Sequence, residues 1–164
     1  QHVELILNDE TYYIAYGSNL NPERLRNRVG NIEVGAKGYL NGFRMAFNKD
    51  NGDGSGCANL KSARGQRVPF VAYRLPEGLD QLSPLDIHEG VPDCYRRIAF
   101  PFPLGQGQRQ ALGYLYVTNP ARLSEGLRPR EDYLAHIETG YRIHGFEDDI
   151  PGLLGRRDDT TAWV

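Results

Sequence analysis

Strand-type segments dominate this chain, and helical segments interrupt them one at a time. That order constrains the fold more than any other feature. The runs VPFVAYRL (68–75), YRRIAFPF (95–102) and QALGYLYV (110–117) are apolar and aromatic over strand lengths, with Tyr73, Tyr95, Tyr114 and Tyr116 adding weight. Upstream, IEVGAKGYLNGFRMAFN predicts two strands joined around Asn41-Gly42, a dipeptide suited to a tight hairpin turn. The stretch NKDNGDGSG (48–56) reads as a flexible polar loop. Helix signals are fewer. Asn21 is a good N-cap, Pro22 suits the first helical position, and Gly30 ends that helix. A second helical region runs from about Glu77 to His88, interrupted at Ser83-Pro84 and stopped by Gly90. A third runs from about Pro129 to His144; Glu131 and Asp132 favour its start, and Tyr133, Ile137 and Tyr141 make one buried stripe. This is not a regular βαβ alternation. The expected class is α+β, a compact mixed β-barrel-like sheet with flanking helices.

At 164 residues, with no repeat and no biased linker, residues 1–164 are expected to form one domain able to bury a core without staples. A net charge of −2 with scattered Lys and Arg offers no electrostatic case for nucleic acid or an anionic membrane. No apolar run is long enough to span a bilayer, and no signal-peptide pattern is present. Cys57 and Cys94 exclude a disulfide framework and make no CxxC spacing; His2, His88, His136 and His144 make no HExxH pattern. His136 and His144, two helical turns apart, read as solvated or core-edge imidazoles rather than ligands. The expectation is a cytoplasmic protein without metal or cofactor.

Two places carry chemistry. The first is the corner IAYGSNLNPERL (14–25), where a strand delivers Gly17, Ser18 and Asn19 to a helix starting at Pro22. Free backbone N–H groups near a helix start favour a carboxylate, phosphate or developing oxyanion. Gly17 permits close approach, while Ser18 and Asn19 add a hydroxyl and an amide. The alternative is an ordinary capped turn whose side chains satisfy their own backbone. It is no P-loop, lacking the Gly-Lys-Ser/Thr ending. The second place is LSPLDIHEGVPDCYRR (82–97). Glu89 falls at the negative end of its helix, where a carboxylate is disfavoured; partial burial would raise its pKa further, toward a general base. The alternative is a solvent-facing Glu bonded to a nearby donor.

Asp86 lies in the first turn after Ser83-Pro84, where an acid favours the dipole, and His88 is ambiguous. Ser18 is not in a GxSxG elbow, and Asp93 beside Cys94 opposes a thiolate, so no nucleophile emerges. The residues suggest proton transfer by one carboxylate beside an anion-binding backbone corner.

Together, YYIAYGSNL (12–20), LDIHEGVPDCYRR (85–97) and YLAHIETGYRIHGF (133–146) resemble three motifs of the gamma-glutamylcyclotransferase family, in the same order and across nearly the whole chain. The resemblance implies a compact mixed barrel with flanking helices and a cofactor-free enzyme acting on a small gamma-glutamyl compound. It implies Glu89 as the catalytic acid/base and Tyr16, Gly17, Ser18, Asn19 and Leu20 as the substrate-binding corner, with Tyr95 and Tyr133 lining the pocket. The YGSNL form is more similar to the general cyclotransferases than to the glutathione-specific or gamma-glutamylamine branches. The implied reaction is attack of the substrate's own α-amine on its γ-carbonyl, releasing 5-oxoproline and an amine or amino acid.

Two alternatives accompany this expectation. One is the same chemistry on a larger gamma-glutamylated acceptor such as an antibiotic intermediate, with selectivity set by residues 48–56 and 103–109. The other is a non-catalytic small-molecule-binding domain on the same scaffold.

Overall fold

The computed structural model describes residues 4–6, 9–105 and 109–158. Its strands are β1 (Glu4–Ile6), β2 (Tyr12–Ala15), β3 (Glu33–Asp50), β4 (Gly56–Arg74), β5 (Tyr95–Pro103) and β6 (Arg109–Thr118). The helices are α1 (Pro22–Val29), α2 (Ser83–Glu89), α3 (Glu131–His144) and α4 (Ile150–Arg157). All six strands join one mixed sheet. β4 lies between β3 and β2, antiparallel to both, and β2 runs parallel to β6 through Tyr13 and Tyr114. β1 pairs with the start of β6 in parallel, and β5 pairs antiparallel with β6 along the whole of β5.

The α+β class with flanking helices holds, but the sheet is not a closed barrel. Among the described residues no ladder joins β3 to β5. These strands meet instead through the rings of Phe43 and Phe100, 5.4 Å apart and edge-on. Part of 103–109, where selectivity was expected, lies outside the described residues.

Asn41-Gly42 is not the expected hairpin turn. β3 does not turn there but continues through to Asp50, paired with β4. The register jumps between the pairs Asn41↔Arg67 and Phe43↔Ser62, and Gly42 takes a φ of 84° at the jump. An Asn-Gly pair tolerates positive φ in a bulge as readily as in a turn, so local chemistry alone did not separate the two. The reversal comes at 51–55. There Asn51 N–H donates to the Ser55 carbonyl at 3.1 Å, and Asp50 and Asp53 accept from the N–H groups of Gly52 and Ser55. The expected loop 48–56 is therefore shorter: Asn48 and Lys49 are buried strand residues.

The core sits between the sheet and the helices. Residues 68–73 are buried on both faces, which explains an apolar run without alternation. The α3 stripe is buried at Ile137 and Tyr141, as its spacing predicts. Gly140 on the same helix lies so close to the corner that a Cβ there would stand 2.4 Å from Leu20 Cβ. α4 and β1 carried no signal in the sequence reading.

Candidate active site

β2 is buried throughout and ends at Ala15, so Tyr16 and Gly17 leave the centre of the sheet directly into a 3-10 turn over Ser18–Leu20. The first N–H groups of such a turn have no partner inside it. Asn21 then caps α1, its side chain accepting from Glu23 N–H, with Pro22 as the first helical residue. The capped-turn reading is thus right for Asn21 and incomplete for Ser18 and Asn19, which are buried.

Glu89 is the last residue of α2, and Gly90 follows in the left-handed region. The helix end aims Glu89 at the corner: Asn19 Nδ2 donates to Glu89 Oε1 at 3.5 Å. Burial raises the Glu89 pKa above the ordinary carboxylate value, and the positive charges of Arg28, Lys49 and Arg24 partly offset the rise. Asn19 is held on three sides. It also donates to Tyr13 OH at 3.1 Å and accepts from Arg28 at 3.2 Å.

Glu89 and the corner share a cavity of about 290 Å³, whose wall includes Tyr16, Gly17, Ser18, Asn19, Tyr95 and Tyr133. Tyr95 OH donates to the Ala58 carbonyl at 2.7 Å, while Ala58 N–H donates to Tyr133 OH at 2.9 Å. One residue of β4 therefore locks both rings. Tyr16 OH donates to the Tyr116 carbonyl at 2.6 Å. Leu20 is the expected corner residue that does not reach the cavity. Its side chain is fully buried in the core, and its carbonyl is bonded by Tyr73 OH and His144 Nε2. It supports the corner from behind.

Other expectations change in detail. Asp86 does more than favour a dipole: it pairs with Arg97 at 2.6 Å and accepts from Tyr116 OH at 2.6 Å. His88 is exposed at the cavity, its pKa lowered by partial desolvation and the nearby Arg28 and Arg24. His144 is buried, bonded to Tyr73 OH and the Leu20 carbonyl. His136 is half-buried, its Nδ1 3.1 Å from Asn21 Nδ2. Burial pushes the Cys57 thiol up to about 11, so it is a wall residue and no thiolate.

The sequence reading missed three cations. Arg24 and Arg28 stand one turn apart on α1, so the i, i+4 spacing after the corner was an available signal. Arg24 Nε donates to Ser18 Oγ at 3.3 Å. Lys49 carried no signal, because its burial depends on a strand that reads locally as loop.

Among the described residues no group of three or more His, Cys, Asp or Glu is placed to hold a metal ion. None of the helices described is long and apolar enough to cross a membrane.

Known proteins share this fold. An uncharacterized human protein, loc79017, superposes with a TM-score of 0.76 at 24% identity, covering 96% of this chain and 94% of its own. A gamma-glutamyl cyclotransferase superposes equally well, at 22% identity, covering 95% of this chain and 94% of that one. YkqA from Bacillus subtilis follows at 0.70 and 20% identity, covering 90% of this chain and 55% of that protein. No curated protein sequence matches the chain. The sequence profile described as "Gamma-glutamyl cyclotransferase, AIG2-like" matches residues 13–140, a span containing the corner, Glu89, Tyr95 and Tyr133. The chain therefore belongs to the gamma-glutamyl cyclotransferase, AIG2-like family.

Proposed function

We propose that this protein is a gamma-glutamylcyclotransferase that releases 5-oxoproline from a gamma-glutamyl compound. The observation that carries the reading is Glu89, a carboxyl of raised pKa in a cavity, bonded to Asn19 of the corner. A raised pKa makes Glu89 a stronger base than an ordinary carboxylate, which suits it to take a proton and later return it.

In the proposed reaction the glutamyl group lies between Glu89 and residues 16–19. Glu89 takes a proton from the α-amine, whose nitrogen forms a bond to the γ-carbonyl carbon and closes a five-membered lactam. Negative charge on the carbonyl oxygen falls to the free N–H groups of the corner. The bond from that carbon to the departing nitrogen then breaks, and Glu89 returns the proton to the leaving amine. Nucleophile and electrophile belong to one molecule, so what the protein adds is the folded pose and proton handling. Ser18 serves as a binding residue, in keeping with its hydroxyl being bonded to Arg24.

One observation favours a leaving group larger than a simple amine. A second cavity of about 210 Å³ shares Arg24, Asn51, Cys57 and Tyr133 with the first and extends toward Arg130 and His136. A turnover screen over gamma-glutamyl amino acids, gamma-glutamyl amines and glutathione, reading 5-oxoproline, tests the activity and ranks these leaving groups. Absence of 5-oxoproline from every substrate, with a thermal shift on binding, points instead to a non-catalytic binding domain.

A further inference from the structure

We propose that Lys49 binds the α-carboxylate of the glutamyl group and makes the enzyme require that carboxylate free. The inference rests on the cyclotransferase reading and names the residue that recognises the invariant half of its substrate.

Lys49 is only 8% exposed, yet it lines the Glu89 cavity. A buried ammonium is costly unless an anion or several acceptors meet it. Among the described residues Lys49 Nζ forms no ion pair and no hydrogen bond; what it meets is the face of Tyr95, 5.1 Å from the ring centroid. A cation–π contact offsets part of the desolvation and leaves all three N–H donors for a ligand.

The other cations of the site each hold a side chain of the corner, whereas Lys49 holds none. Arg28 bonds Asn19 Oδ1, and Arg24 bonds Ser18 Oγ where the first cavity meets the second. Lys49 and Glu89 line the same cavity. In the reaction above, Glu89 must reach the α-amine. The α-carboxylate hangs from the same carbon as that amine, so it enters the space that Lys49 and Glu89 share. An ammonium there fits a carboxylate and rejects a neutral carboxamide, which leaves the buried charge unpaired.

The test compares γ-glutamyl-alanine with its analogue carrying an α-carboxamide in place of the glutamyl α-carboxylate, on wild type and Lys49→Met. Binding of 5-oxoproline and its carboxamide, measured by calorimetry, gives a readout without turnover. Methionine keeps the length and apolar stem of the side chain against Tyr95. Wild type is expected to prefer the acid by about 10- to 100-fold in KM, the range for one lost charged hydrogen bond. Lys49→Met raises KM for the acid by a similar factor, leaves kcat within a few-fold and erases the preference. Lys49→Arg restores part of it. Should Lys49→Met fail to fold, the acid-to-amide ratio in wild type still decides: equal KM values and equal binding overturn the proposal. So does a variant that keeps the preference, or one that loses kcat with KM unchanged, which makes Lys49 a tuner of Glu89. Wild type without any 5-oxoproline release overturns the cyclotransferase reading, and this inference with it.

Discussion

Asn19 Nδ2 and Glu89 Oε1 stand 3.5 Å apart across 70 residues of chain, joining the corner after β2 to the end of α2. The contact links the two segments of the candidate site, and it is one of the influences that lower the Glu89 pKa against burial. Asn19→Ala removes it and strands the Arg28 and Tyr13 partners. The expected cost is about 1–3 kcal/mol of stability, with the acid limb of the pH–rate profile moved to higher pH. Denaturant unfolding and a kcat/KM profile measure both; an unmoved limb removes Asn19 from the tuning of Glu89.

Glu89→Gln is expected to fold and to lose about 10²–10⁴-fold in 5-oxoproline release. Near-wild-type turnover would sink the assignment of Glu89.

The same variant carries a stability signature. Burial raises the Glu89 pKa in the folded state above its unfolded value. The folded protein therefore binds more protons than the unfolded chain between those two values, and stability falls as pH rises through that window. Glu89→Gln has no such penalty. Its melting temperature relative to wild type is expected to be higher at pH 8 than at pH 4, and a gap that shrinks with rising pH contradicts this.

His144 has the opposite sign. Burial lowers its pKa, so the unfolded chain binds its proton first and stability falls as pH drops below about 6.5, toward the folded value. His144→Gln keeps a donor for the Leu20 carbonyl without the titration. The variant is expected to flatten the stability–pH curve in that window, read by urea unfolding between pH 5 and 7.5.

Gly140 sets how closely α3 approaches the corner. Gly140→Ala places a Cβ against Leu20 backbone and side chain and is expected to cost about 1–3 kcal/mol while lowering turnover. Gly155→Ala in α4, where a Cβ meets nothing within 4 Å, is the control; it is expected to stabilise by up to about 1 kcal/mol with activity unchanged. Equal effects from the two would mean that helix propensity, and not packing on Leu20, governs both.

Much of this molecule was legible from neighbours along the chain. The Asn21-Pro22 helix start, the Gly90 stop, the buried stripe of α3 and the strands of 95–102 and 110–117 rest on capping, periodicity and side-chain shape, which act within a few residues. The odd place of Glu89 at a negative helix end was readable for the same reason. What the local pattern left open was decided by partners far away. Asn41-Gly42 suits a bulge and a turn equally, and pairing with β4 selected the bulge. Lys49 sits in a polar stretch that reads as loop, yet β4 opposite and the bridge from Leu123 bury it at the cavity. Leu20 belongs to the corner in sequence but to the core in space, because Gly140 lets α3 close over it. Short-range chemistry thus determined the elements and pointed to one carboxylate; long-range packing alone decided which charges that carboxylate shares its cavity with.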